Sequence, residues 1–73
     1  MKELFLRLYN GDMSAREEII SNNMKLVYYL VHKSGFDNND DNYQIGLIGL
    51  IRAVDTFDIY SSYSFSTYAA KCI

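Results

Sequence analysis

Residues 41–58, DNYQIGLIGLIRAVDTFD, limit what this chain can fold into more than any other stretch. Between positions 43 and 54 only Gln44 and Arg52 interrupt the apolar run with large polar groups. A helix that is apolar on every side is normally buried on every side. A chain of 73 residues is too short to wrap one of its own helices, because a domain of about 60 residues buries only about 60% of its unfolded surface. A partner outside the chain is therefore expected to cover part of this helix.

At about 100° per residue, Tyr43, Gly46, Leu47, Leu50, Ala53, Val54 and Phe57 share one side of the helix. Asp41, Gln44, Ile45, Ile48, Ile51, Arg52 and Asp55 share the other. The first side is a core face. The second mixes isoleucines with a carboxamide, two carboxylates and a guanidinium, which suits an interface with an apolar centre and a polar rim. The same isoleucines would also suit a face covered by other helices of the domain, and periodicity alone leaves both readings open. Gly46 and Gly49 each lower helix propensity by roughly 1 kcal/mol relative to Ala. Their spacing suggests the close approach of another backbone, or local weakness that the fold tolerates.

The rest of the chain reads as further helices of one domain spanning residues 1–73. Leu4, Phe5, Leu8 and Tyr9 give a stripe over 2–9, and Gly11 stops it, since Gly accepts the positive φ found past helix ends. A second helix is expected over 14–34. Ser14 would cap it with Glu17 completing a capping box, and Gly35 would end it. Its stripe is Ile20, Met24, Val27 and Val31, widened by Ile19, Leu26 and Leu30. The polar loop over 35–40 leads to the third helix, 40–55, with Asp40 or Asp41 as cap. Ser64 caps a fourth, 64–73, with Phe65, Tyr68, Ala69 and Cys72 on one face. The expected fold class is all-α, a small bundle of about four helices.

Composition narrows the function. The chain is 49% hydrophobic and 22% charged, which is globular rather than disordered. Its net charge of −2 argues against a stand-alone nucleic-acid binder, which usually carries a basic patch. Cys72 is the single cysteine, so no internal disulfide can form and a reducing, cytoplasmic compartment is expected. The charged start is no signal peptide. The longest apolar run, 26–31, is far too short to span a bilayer, and no membrane association is expected.

No catalytic constellation is visible. His32 and Cys72 stand alone, the serines at 61, 62, 64 and 66 lack a nucleophile context, and no phosphate-binding glycine loop is present. Asp37, Asn39 and Asp41 imitate the start of a calcium loop. Asn42 then stands where glycine is needed, and Ile48 where a bidentate glutamate is needed. The expectation is a binding module that is not an enzyme, with no cofactor and no metal.

Residues 40–58, DDNYQIGLIGLIRAVDTFD, resemble the second conserved region of the housekeeping-type family of bacterial RNA polymerase sigma factors. Downstream, 65–69 (FSTYA) look like that family's F-S/A-T-Y-A. Upstream, Gly11-Asp12, Ala15-Arg16-Glu17 and the run NMKLV at 23–27 look like its G-D-x-x-A-R-E…N-L-R-L-V. The ending AKCI at 70–73 is closer to the sporulation-type members. The resemblance covers almost the whole chain, as three ordered blocks at family-like spacing. Asn42, where leucine is usual, and Leu47, where a small or polar residue is common, depart from the pattern.

The resemblance implies a transcription initiation factor whose helix docks on the beta-prime coiled coil of RNA polymerase. Carried over by position, the polymerase contacts are Asp41, Gln44, Leu47 and Ile51, with Ile48 and Asp55 nearby. Asp41 suits a charge-assisted bond from an arginine, and Gln44 offers both a donor and an acceptor. Tyr63, Phe65, Thr67 and Tyr68, with Lys71, match positions that line the path of melted promoter DNA, where aromatic rings stack on unpaired bases; Phe65 and Tyr68 would also suit packing of the fourth helix onto the core. Lys71 is the only Lys or Arg after position 57, so the chain alone is expected to bind promoter DNA weakly. The helix at 64–73 shows no stop signal, which reads as a truncated sigma region-two domain. The alternative is a non-initiating helical interaction module, a decoy or a self-associating regulator. An anti-sigma factor and self-association stay open as further partnerships.

Overall fold

In a computed structural model of the chain, residues 2–35 and 39–73 are described. They form α1 (Lys2–Tyr9), α2 (Met13–Asn22), α3 (Met24–Lys33), α4 (Asp40–Thr56) and α5 (Phe65–Cys72). The all-α bundle is as the periodicity predicts. α4 is the central element, packed against α2, α3 and α5, while α1 lies on α2.

The helix expected over 14–34 is broken into α2 and α3 at Asn23. The break has a local cause. Asn23 Nδ2 donates to the Ile19 carbonyl at 2.7 Å, the acceptor that the backbone N–H of Asn23 would use in a continuous helix. That N–H turns instead to the Ile20 carbonyl at 3.1 Å, and Asn23 adopts φ −114°, ψ 8°. A side-chain amide competing with the backbone in this way is a general reason that asparagine is poor inside helices. Asn23 is buried and occupies a step of an apolar row that runs from Ala15 and Ile19 to Val27 and Val31. Ile20 and Met24, expected to line the stripe, are only partly buried beside the core.

Two expected caps lie elsewhere. Ser14 does not cap α2; Asp12 does, accepting from the Ser14 backbone N–H at 3.0 Å, and α2 begins one residue earlier than predicted. Neither Asp40 nor Asp41 caps α4. Asn39 does, accepting from Asn42 N–H at 2.9 Å, which leaves both aspartates in the first turn, where a negative charge favours the helix dipole. Ser64 caps α5 as expected, at 3.3 Å from Thr67 N–H. Gly11 and Gly35 take φ of 93° and 80°, the left-handed conformation their helix-ending places require. The polar loop over 35–40 falls partly outside the described residues, Asp37 among them.

The core joins Phe5, Ile19, Val27, Leu50 and Val54, all at most 1% exposed, to an aromatic cluster at the end of α4. The Phe5 ring lies 5.1 Å from Phe57 and 5.2 Å from Phe65, and Phe57 meets Phe65 edge-on at 5.3 Å. This cluster ties the short α1 to the opposite end of the chain, and Tyr9 Oη strengthens it by donating to the Phe57 carbonyl at 2.6 Å.

The α4 glycines explain how α5 fits. A Cβ on Gly49 would lie 2.5 Å from the Cys72 carbonyl oxygen and 2.9 Å from Ile73 Cα. A Cβ on Gly46 would lie 2.8 Å from Val27 Cγ1. The close backbone approach suggested by the glycine spacing is thus made at Gly49, by the end of α5, and Gly46 admits a branched side chain of α3.

Candidate functional site

Burial divides α4 along its length. Gly46, Leu50, Ala53 and Val54 face the interior, with Tyr43, Leu47 and Phe57 half-buried at its edge. Asp41, Gln44, Ile45, Ile48 and Arg52 face solvent. Ile45 and Ile48 are 64% and 60% exposed, side by side on a helix whose other face is core. They form an apolar centre, with Asp41 and Gln44 at one end and Arg52 at the other. Such an arrangement can seat a complementary helix, since the two isoleucines give apolar contact and the flanking polar groups fix its register.

The polymerase contacts implied by the resemblance sit unevenly on this face. Asp41, Gln44 and Ile48 are open to solvent, whereas Ile51 is half-buried and Leu47 packs against the core. Asp55 is solvent-exposed but engaged within the chain. Its carboxylate takes two bonds from Arg16, Nε at 2.9 Å and Nη2 at 3.0 Å. This fork holds the Asp55 carboxyl below its usual pKa, with the Arg16 hydrogen bond as the largest cause. Arg16 thereby fastens α2 to the end of α4. A contact between residues 39 positions apart leaves no periodic signature, and sequence reasoning did not find it.

Beside Ile45 a cavity of about 220 Å³ opens between α3, α4 and α5, lined by Leu30, Val31, Asn42, Gly46, Ala70 and Ile73 among others. It extends the apolar area around Ile45 towards α3. Ile45 itself was placed on the outer face by the helical wheel but not among the contact residues, and its exposure marks it as a stronger candidate than Leu47.

The residues matched to the DNA path fall into two groups. Phe65 is 5% exposed and packed on Phe5 and Phe57, the core placement that its face of the fourth helix also suited. Tyr68 is half-buried, with its ring 5.7 Å from Phe57 and its hydroxyl 2.6 Å from Thr56 Oγ1. Tyr63, Thr67 and Lys71 remain at the surface. Lys71 Nζ sits 4.2 Å from the Tyr63 ring centroid, a cation–π pair that brings a cation and a stacking surface together. Tyr60, 81% exposed, adds a ring with Lys2 Nζ at 5.9 Å. Its place in a loop without helical periodicity gave no sign of this in the sequence.

Among the described residues no group of three or more His, Cys, Asp or Glu could hold a metal ion. Among the described residues no helix is long and apolar enough to cross a membrane.

The family described as Sigma-70 region 2 matches residues 19–73. The chain is 40% identical over 75 residues to the RNA polymerase sigma-G factor of Clostridium acetobutylicum, a match covering all of this chain and 29% of that protein. It is 43% identical over 76 residues to the RNA polymerase sigma-F factor of Bacillus subtilis, again covering all of this chain and 29% of the relative. A putative sigma-G factor of Bacillus thuringiensis is 38% identical over 77 residues and 60% covered. No solved structure matches. On these similarities the chain belongs to the sigma-70 family, with residues 19–73 matching its region 2.

Proposed function

We propose that this chain docks on bacterial RNA polymerase through the outer face of α4, as the polymerase-binding part of a transcription initiation factor working in the cytoplasm. The observation that carries this reading is the pair Ile45 and Ile48, 64% and 60% exposed at the centre of a helix whose opposite face is core. The surface they would meet is the beta-prime coiled coil. Ile48 and Ile45 supply the apolar contact, Gln44 a two-way hydrogen bond, and Asp41 a charge-assisted bond to an arginine. Arg16 contributes indirectly by holding the C-terminal end of α4 through Asp55. Tyr63, Thr67, Tyr68 and Lys71 lie along the promoter side. With Lys71 beside a single exposed ring, that edge supports weak contact with an unpaired base, because affinity for DNA comes mainly from neutralised phosphates. An anti-sigma factor would act most simply by covering the α4 face.

The test is fluorescence anisotropy of the labelled chain titrated with core polymerase. Saturable binding that Gln44→Ala weakens at least tenfold, with an unchanged circular dichroism spectrum, is the expected result. Equal affinity of the parent, Gln44→Ala and Asp41→Ala would overturn the reading.

A further inference from the structure

The outer face of α4 has a symmetry of its own. Asp41, Ile45, Ile48 and Arg52 follow one another at spacings of four, three and four residues. At about 100° per residue they share a stripe roughly 60° wide. All four are exposed. The midpoint between Asp41 and Arg52 is also the midpoint between Ile45 and Ile48, and it falls between Gly46 and Leu47. A two-fold axis through that point lays the stripe against itself in antiparallel sense. Ile45 then meets Ile48 of the second copy, and Asp41 meets its Arg52, with the same two pairs repeated on the other side of the axis. Such self-complementarity is what an isologous interface requires. Asp41 and Arg52 are about 16 Å apart along the helix at 1.5 Å rise per residue, which leaves room between them for the four isoleucines. Among the described residues neither Asp41 nor Arg52 has an ion-pair partner within the chain. The antiparallel sense also sets each helix's positive end beside its neighbour's negative end.

We infer that the partner this stripe fits, besides any polymerase surface, is a second copy of the same chain, paired antiparallel through α4. The occupant is specified by charge order. A generic apolar ligand would leave Asp41 and Arg52 unused, whereas a second copy uses both twice. The contact is small, in the class of weak and reversible interfaces, so the dimer forms at high local concentration and separates on dilution. Its consequence for regulation rests on the docking face proposed above. Pairing buries Ile45 and Ile48, so a paired chain cannot engage the polymerase.

Sedimentation equilibrium of the chain alone tests the pairing without reference to the polymerase. The mass should rise from 8.5 kDa towards twice that value as concentration approaches about 1 mM, the weak end of measurable affinity. Asp41→Arg alone and Arg52→Asp alone should each abolish the rise, because each sets like charges against each other across the axis. Mixing the two variants in equal amounts should restore it, and so should the double swap carrying both substitutions in one chain. Circular dichroism of each variant confirms that it is folded. A chain that stays monomeric to about 1 mM, a dimer that survives both single reversals, or reversals that neither mixing nor the double swap rescues would overturn the inference. A dimer with these charge rules in a chain that fails to bind polymerase would leave the pairing standing and remove only the docking proposal.

Discussion

The two faces of α4 both carry large aliphatic residues, in different surroundings. Leu50 and Ile48 lie two positions apart, and both are large aliphatic side chains. Leu50 is fully buried and Ile48 is 60% exposed. The inner face obtains its burial from within the chain, through Val27, Val31 and the end of α5. Among the described residues nothing covers the centre of the outer face. Hydrophobicity alone therefore does not separate a buried residue from an exposed one in so small a domain. The separation comes from what the other helices can reach.

Substitutions on the two faces should split stability from binding. The largest effect is expected at Leu50→Ala, which removes a fully buried side chain and should destabilise by about 2–5 kcal/mol, read as a large drop in thermal midpoint. Gly49→Ala comes next. Alanine raises helix propensity by about 1 kcal/mol, but its Cβ would lie 2.5 Å from the Cys72 carbonyl oxygen, and overpacking against backbone costs about 1–3 kcal/mol. The net result should be a loss of stability. A gain would show that α5 is free to move away from α4.

The Arg16–Asp55 fork stands between the two faces. As an exposed pair it should contribute only about 0.2–1 kcal/mol, measured by a double-mutant cycle. Its pH dependence has a definite sign. The Asp55 carboxyl is lowered from 3.8 by Arg16, and that of Asp12 is lowered to about 2, first by the Ser14 hydroxyl and then by Arg7. A carboxylate with a depressed native pKa stabilises fully above its unfolded value and loses that contribution as pH falls through the native one. Acid unfolding should therefore steepen below about pH 4, and Asp55→Asn should flatten part of that slope. The smallest effect on stability is expected on the outer face, where Ile48→Ala should stay within about 0.5 kcal/mol of the parent.

Much of this division was legible in the sequence because it is periodic. The helical wheel of residues 41–58 separates the buried set around Leu50 from the exposed set around Ile48, and the glycine spacing points to the close approach found at Gly49. What escaped is non-periodic. The Asn23 break arises from one amide taking the Ile19 carbonyl, a choice that helix propensity alone does not specify. Asp12 and Asn39 take the caps because their side chains reach N–H groups two and three residues on, ahead of Ser14 and the aspartates at 40 and 41. Core packing of Phe65 was one of its two sequence readings, but its partner Phe5, sixty residues earlier in the chain, was not legible. Arg16 was invisible as a support for α4, since only the folded chain brings it to Asp55.

The central claim is that the inner face of α4 folds the domain and the outer face binds. Calorimetric titration of a purified beta-prime coiled-coil fragment into the parent chain and into Ile48→Ala, with thermal unfolding of both, tests it most directly. The account predicts equal unfolding midpoints within a few degrees and a loss of affinity of at least tenfold in the variant. Unchanged affinity in a folded Ile48→Ala chain, or a variant that loses stability as Leu50→Ala does, would contradict it.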